Sequence, residues 1–115
     1  MTNTILLVDD DAGVRGTLNR VLTLAGYRVI EAGTQSAALG MLGGFTPDLA
    51  IVDAGLPDGH GSAVCLAVKK TGRRIPVMMI SGAPAEEDAA GAADEFMTKP
   101  FNFAALTANV SRLLA

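Results

Sequence analysis

The chain carries one cysteine and one histidine in 115 residues. A lone thiol closes no internal disulfide and builds no thiolate metal site, and Cys65 sits between Val64 and Leu66, in the company of a core residue. His60 has no second imidazole or thiol at ligand spacing, so zinc lacks its usual donors; His60 is expected to be structural and solvent-exposed. Basic clusters are equally scarce. No run of Lys or Arg exceeds two residues, and nine basic against twelve acidic residues leave a net charge of −3. The phosphate-attracting surface of a nucleic-acid binder is missing, and direct nucleic-acid binding is not expected. No apolar run reaches the roughly 18 residues of a membrane span. The start, Met1-Thr2-Asn3-Thr4, shows neither a basic segment nor a cleavable apolar stretch, so a cytoplasmic location without membrane contact is expected. No repeat, low-complexity tract or linker divides the sequence, and a single domain over 1–115 is the expectation.

Half of the residues are hydrophobic, enough to bury about two-thirds of the unfolded surface in one core. Short apolar runs alternate with segments of helical period, the pattern of a parallel sheet covered by helices on both faces. The runs are Ile5 to Val8, Tyr27 to Ile30, Leu49 to Val52, Ile75 to Ile80, and a weaker Glu95 to Thr98. The first, third and fourth are almost purely apolar, as central strands are. Between them, Val14, Leu18, Val21, Leu22 and Ala25 form one helical face ending before Gly26. Thr34 can cap a second helix with Ala38, Met41 and Leu42; Ser62 can open a third with Val64, Cys65 and Val68; Asn102 can open a last one with Phe103, Leu106, Val110 and Leu113 on one side. Strict alternation of five strands with helices matches a doubly wound, flavodoxin-like sheet of order 2-1-3-4-5. In that order the chain reverses between strands 1 and 3, and ligands collect beyond their carboxyl ends.

Chemistry concentrates at those ends. Strand 1 runs into Asp9-Asp10-Asp11 and strand 3 into Asp53. Two unit charges 4 Å apart repel by about 4 kcal/mol at an effective dielectric near 20, so such a group needs a cation or protons to coexist. Mg²⁺, which takes carboxylates, waters and phosphate oxygens, suits it. Ser81 follows strand 4 and Lys99 follows strand 5. A hydroxyl, an ammonium and a metal around one carboxylate are what phosphoryl transfer requires, with Asp53 as nucleophile. Taken singly, Asp9 to Asp11 could be a helix cap, Lys99 a solvated lysine, Ser81 a turn residue and Phe96 a core aromatic; convergence of the set favours chemistry.

The sequence resembles the receiver domains of response regulators in two-component signal transduction, the chemotaxis response regulator included, over essentially its whole length. The resemblance rests on Ile5-Leu6-Leu7-Val8-Asp9-Asp10-Asp11, on Asp53 followed by Leu56-Pro57-Asp58 and Gly61, on Ser81-Gly82-Ala83, and on Lys99-Pro100-Phe101, in family order. It implies that Asp53 accepts the phosphoryl group from a sensor histidine kinase or phosphotransfer protein. It also implies that Asp10 and Asp53 ligate Mg²⁺ directly, that Asp9 acts largely through water and that Gly55 offers its carbonyl. Ser81 and Lys99 would bind the phosphoryl group, and Phe96 would be the aromatic switch that follows Ser81. The bond before Pro100 is often cis in the family. On this reading the chain is not an enzyme beyond its own phosphorylation and dephosphorylation, and it switches a surface for an unknown downstream partner.

Two departures stand out. The chain between Ser81 and Lys99 is roughly one helical turn shorter than is usual in the family, which truncates the fourth helix to about residues 84–90 and implies a non-standard output surface. Gly55 and Ala83 stand two residues after Asp53 and Ser81, and neither can orient an attacking water, so slow self-dephosphorylation is expected. Two other functions compete: a Mg²⁺-dependent phosphohydrolase with Asp53 as nucleophile, and a receiver-like interaction module that works without phosphate.

Overall fold

Residues 2–82 and 93–115 are described by a computed structural model. Seven strands and four helices are defined among them: β1 (Thr4–Val8), α1 (Ala12–Leu24), β2 (Arg28–Ala32), α2 (Gln35–Leu42), β3 (Leu49–Asp53), β4 (Gly55–Leu56), β5 (Gly59–His60), α3 (Ser62–Lys69), β6 (Val77–Ser81), β7 (Glu95–Thr98) and, as α4 here, Phe103–Leu114. Five strands form one parallel sheet in the order β2-β1-β3-β6-β7. This is the doubly wound, flavodoxin-like arrangement anticipated from the alternation. The helix expected over 84–90, and with it the altered output surface, lies outside the described residues.

Apolar runs become central strands because both of their faces are covered. Every residue of β3 and β6 is buried. Along β1 the side chains alternate, so that Leu6 and Val8 enter a layer with Val64, Cys65 and Val68 of α3, while Ile5 and Leu7 enter a second layer with Leu18, Leu22, Leu106 and Val110 of α1 and α4. Side-chain caps form on three helices, those from Thr34 and Asn102 as expected and that from Asp11 as the alternative weighed for the acidic run. Asp11 accepts the Gly13 and Val14 amides at the start of α1, Thr34 the Ala37 amide of α2, and Asn102 the Ala105 amide of α4. After α1, Gly26 takes φ 99°, and the Tyr27 amide reaches back to the Leu22 carbonyl, a left-handed helix stop that favours glycine.

Several boundaries differ from expectation. That amide bond keeps Tyr27 in the turn, so β2 begins at Arg28 and runs on through Glu31 and Ala32, which pair with Leu7 and Val8. Strand β6 begins at Val77 rather than Ile75, because Pro76 has no amide to contribute to a ladder. Gly61, not Ser62, occupies the capping position of α3, and the His60 ring supplies the acceptor: its Nδ1 takes the Ser62 amide at 3.0 Å. Phe103 is exposed, with its ring set edge-on to Phe101. The antiparallel ribbon of β4 and β5 was not anticipated, since two-residue strands have no readable period.

The ribbon returns to the sheet through Gly61, whose amide donates to the Ala54 carbonyl at 2.8 Å. A Cβ there would lie 2.3 Å from the Asp53 carbonyl oxygen and 3.0 Å from Val52 Cγ1. Overpacking of that kind costs typically about 1–3 kcal/mol, so Gly61→Ala should lower Tm by roughly 5–15 °C. Gly16, mid-helix in α1 with nothing within 4 Å of its Cβ position, is the contrast: Gly16→Ala should raise Tm by a few degrees. Thermal melts of the two variants check both; equal shifts would refute the steric account.

Candidate functional site

Strand register builds the site. Val8 pairs with Val52, Asp53 with Ile80, and Ser81 with Thr98. The residues that end or follow these strands, Asp9, Asp53, Ser81 and Lys99, therefore come out along one edge of the sheet. Carboxylate oxygens of Asp9, Asp10 and Asp53 lie within 4.8 Å of one another, Asp10 exposed and the other two buried. Lys99 Nζ donates to Asp53 Oδ2 at 2.8 Å, and the Gly55 amide donates to Asp53 Oδ1 at 3.1 Å. Both oxygens of Asp53 are thus held by donors that fix its orientation. Ser81 is buried at the end of β6, and its carbonyl accepts the Lys99 amide at 3.0 Å. The Lys99–Pro100 bond is cis, as the resemblance implied.

Asp9 accepts the Asp11 amide on Oδ1 at 2.9 Å, while its Oδ2 is buried with no hydrogen-bond partner among the described residues. A buried acceptor left without a donor is costly. Here it points to a cation, and the donor set of three carboxylates with no thiol or imidazole suits a hard divalent ion such as Mg²⁺. Burial pushes Asp9 up to about 6 from 3.8, the Asp11 amide opposes the rise, and the charge of Asp53 adds to it. For Lys99 burial works against the charged form, yet the hydrogen bond to Asp53 and the carboxylates of Asp53, Asp9 and Asp10 together hold it above its ordinary value.

The acidic turn is braced by a residue that sequence reasoning passed over. Arg15 Nη1 donates to the Asp9 carbonyl at 2.7 Å, and its Nε meets Glu31 Oε1 at 3.2 Å. Asn19 bonds the other Glu31 oxygen at 2.6 Å. Gly33 leaves room for this guanidinium, since a Cβ there would stand 2.9 Å from Nη1. The available signal was Glu31, an acid directly after the apolar pair Val29-Ile30 in β2, opposite an Arg one turn into α1. Beside Lys99 an open cavity of about 770 Å³ runs along Val14, Thr17, Phe101 and Phe103. Phe96 is partly buried against the layer that carries α3, away from the acidic turn of β1 and α1 in sequence but paired through β7 with Met79.

The model of the response regulator receiver domain family matches residues 5–111. The chain belongs to that family. Among curated relatives, this receiver is 35% identical to the response regulator MprA of Mycobacterium bovis and to that of Mycobacterium tuberculosis, over 99% of its own length and 51% of theirs. It spans about half the length of the curated relatives it matches. Among solved structures it superposes on a CheY-like receiver domain protein from Methanospirillum hungatei with a TM-score of 0.91 at 25% identity, covering 99% of this chain and 94% of that one. On the response regulator protein TrrA of Thermotoga maritima, solved with Mg²⁺-BeF, the TM-score is 0.88 at 30% identity, covering 99% of this chain and 100% of that one. The expected family and fold are both met.

Of the residues singled out from sequence, Asp9, Asp10, Asp53, Gly55 and Lys99 are brought together by direct contact or close approach, and Ser81 joins them at the same edge. Asp11 takes the bland alternative and caps α1. Cys65 is buried and His60 exposed, as expected. The raised Asp9 sets a pH dependence. Between about pH 4 and 6 the folded receiver holds a proton that the unfolded chain has released, so the contribution of Asp9 to stability falls as pH rises through that window. Asp9→Asn removes the penalty. In metal-free melts, variant and wild type should converge near pH 4, and the variant should be more stable by roughly 2 kcal/mol above pH 6; a difference that does not change with pH would refute this.

Proposed function

We propose that this receiver domain of a two-component response regulator, taken as one unit over 1–115, accepts a phosphoryl group on Asp53 from a sensor histidine kinase or phosphotransfer protein in a Mg²⁺-dependent reaction. The observation that carries the reading is the buried Asp53 carboxylate, bonded to Lys99 at 2.8 Å and crowded by Asp9 and Asp10. An Asp53 oxygen forms the new bond to phosphorus as the bond from phosphorus to the donor nitrogen breaks, and the electron pair leaves with the imidazole. Lys99 then pairs with a phosphoryl oxygen, and the Ser81 hydroxyl donates to another. Asp10 and Asp53 would hold Mg²⁺ directly, Asp9 through water and Gly55 through its carbonyl; the bound ion supplies charge neutralisation for the transferring oxygens. The TrrA structure with Mg²⁺-BeF, at 30% identity, supports carrying this chemistry over. The cavity along Val14, Thr17, Phe101 and Phe103 gives a donor a route to the Lys99 side of Asp53.

Phosphorylation then alters a surface read by a downstream protein, with Phe96 following the Ser81 hydroxyl inward. Intact-protein mass after incubation with acetyl phosphate and Mg²⁺ tests the reading. One added phosphoryl group per chain is expected, lost on chelation and in Asp53→Asn. No adduct under any condition would leave a phosphate-independent interaction module, and continuous turnover of small phosphoesters would favour a phosphohydrolase. Because Gly55 and Ala83 carry no group able to orient water, the adduct should persist for minutes or longer after the donor is removed. Decay within seconds, followed by mass, would refute the slow-dephosphorylation expectation.

A further inference from the structure

The segment 55–60 carries Gly55, one of the metal-binding positions proposed above, on a ribbon that its own sequence does little to hold. Its two strands contain two residues each and turn through Pro57 and Asp58; an isolated ribbon of that length has no stability of its own. Helix α2 holds it. Asp58 Oδ1 accepts the Gln35 amide at 2.7 Å, and Asp58 Oδ2 accepts the Ser36 amide at 2.9 Å. From the other side, Gln35 Nε2 donates to the His60 carbonyl at 3.1 Å. Gly59 permits that crossing, because a Cβ there would lie 2.4 Å from Gln35 Nε2. The opposite end of the ribbon is tied to the reacting carboxylate through the Gly55 amide on Asp53 Oδ1, and to the backbone next to it through the Gly61 amide on the Ala54 carbonyl.

We propose that Asp58 is a positioning residue for the metal site: by pinning the tip of the ribbon to the first turn of α2, it holds Gly55 against Asp53 in the arrangement that takes Mg²⁺. The inference rests on the Mg²⁺ reading of the Asp53 site. Asp58 touches neither the acidic cluster nor Lys99, and acts only through the ribbon. Its two bonds are charge-assisted and lie at the positive end of a helix, which makes it a firmer anchor than a neutral side chain. A residue that merely capped α2 would contribute to stability without influencing cation binding at the other end of the ribbon, and this difference is measurable.

The experiment is calorimetric titration of metal-free protein with Mg²⁺ alone, on wild type, Asp58→Ala, Asp58→Asn and Val110→Ala. Val110 is buried in the layer of α1 and α4, across the sheet from α2, and reports what stability loss alone does. Asp58→Ala should weaken Mg²⁺ binding by about 10-fold, the scale of outer-shell effects on metal sites. Asp58→Asn keeps one acceptor oxygen and should fall between; it carries the test if the alanine variant does not fold. Val110→Ala should leave the affinity unchanged while lowering Tm. Hydrogen exchange at the Gly55 amide should quicken in the Asp58 variants and not in Val110→Ala. Unchanged Mg²⁺ affinity in both Asp58 variants would overturn the inference while leaving the metal site standing. Absence of Mg²⁺ binding by wild type would overturn the metal reading first, and this inference with it.

Discussion

Like-charge crowding at the carboxyl end of β1 and β3 is the constraint around which the rest is arranged. Three carboxylates share a space of 4.8 Å, where each pair repels by a few kcal/mol at protein-like dielectric. Side chains left to themselves would separate. They stay together because the backbones that carry them are central strands packed on both faces, and their register is fixed on one side by the layer of α3 and on the other by that of α1 and α4. Lys99 offsets part of the repulsion, and Arg15 grips the Asp9 carbonyl so that the turn cannot swing outward. The buried Asp9 oxygen without a donor marks the part left uncompensated.

The two sides of Asp53 are built differently. Toward α1 and α4 the site opens into a cavity with partly apolar walls, and Phe103 stands exposed at its rim. Toward α2 and α3 it is closed by the ribbon of β4 and β5, which bonds Asp53 through the Gly55 amide and leaves Gly61 no room for a side chain. A rigid wall on one side and an open cavity beside Lys99 on the other leave the buried Asp53 carboxylate held in one orientation. The fold achieves this without a long loop, since Asp53 and Ser81 end strands, Asp9 and Lys99 directly follow them, Asp10 is one residue further on, and Gly55 opens β4.

What the sequence made legible follows from which forces are local. Purely apolar runs gave the central strands, and Thr34, Asn102 and Gly26 gave helix ends, because caps and stops act within a few residues. Asp9, Asp53 and Lys99 could be placed together once the strand order was known, since register carries them to one edge. Asp58 could be read only as part of a motif: its partners are the Gln35 and Ser36 amides, more than 20 residues away, and the pairing exists only after α2 has docked. The same holds for Arg15 and Glu31. Ser62 looked the better cap on composition, yet the His60 ring arrives there first because the ribbon ends one residue before Gly61. Phe103 fits the helical stripe, but at the first turn of α4 it meets Phe101 instead of the sheet.

Cys65, the single thiol, is sealed on the inner face of α3 within the core layer. A thiol without solvent access reacts slowly with maleimides and other electrophiles. The wild-type chain is therefore already a nearly silent background for labelling. A fluorophore or spin probe attached through a cysteine introduced at exposed Leu24 would report from that place alone, with the native thiol left in the core it helps to fill.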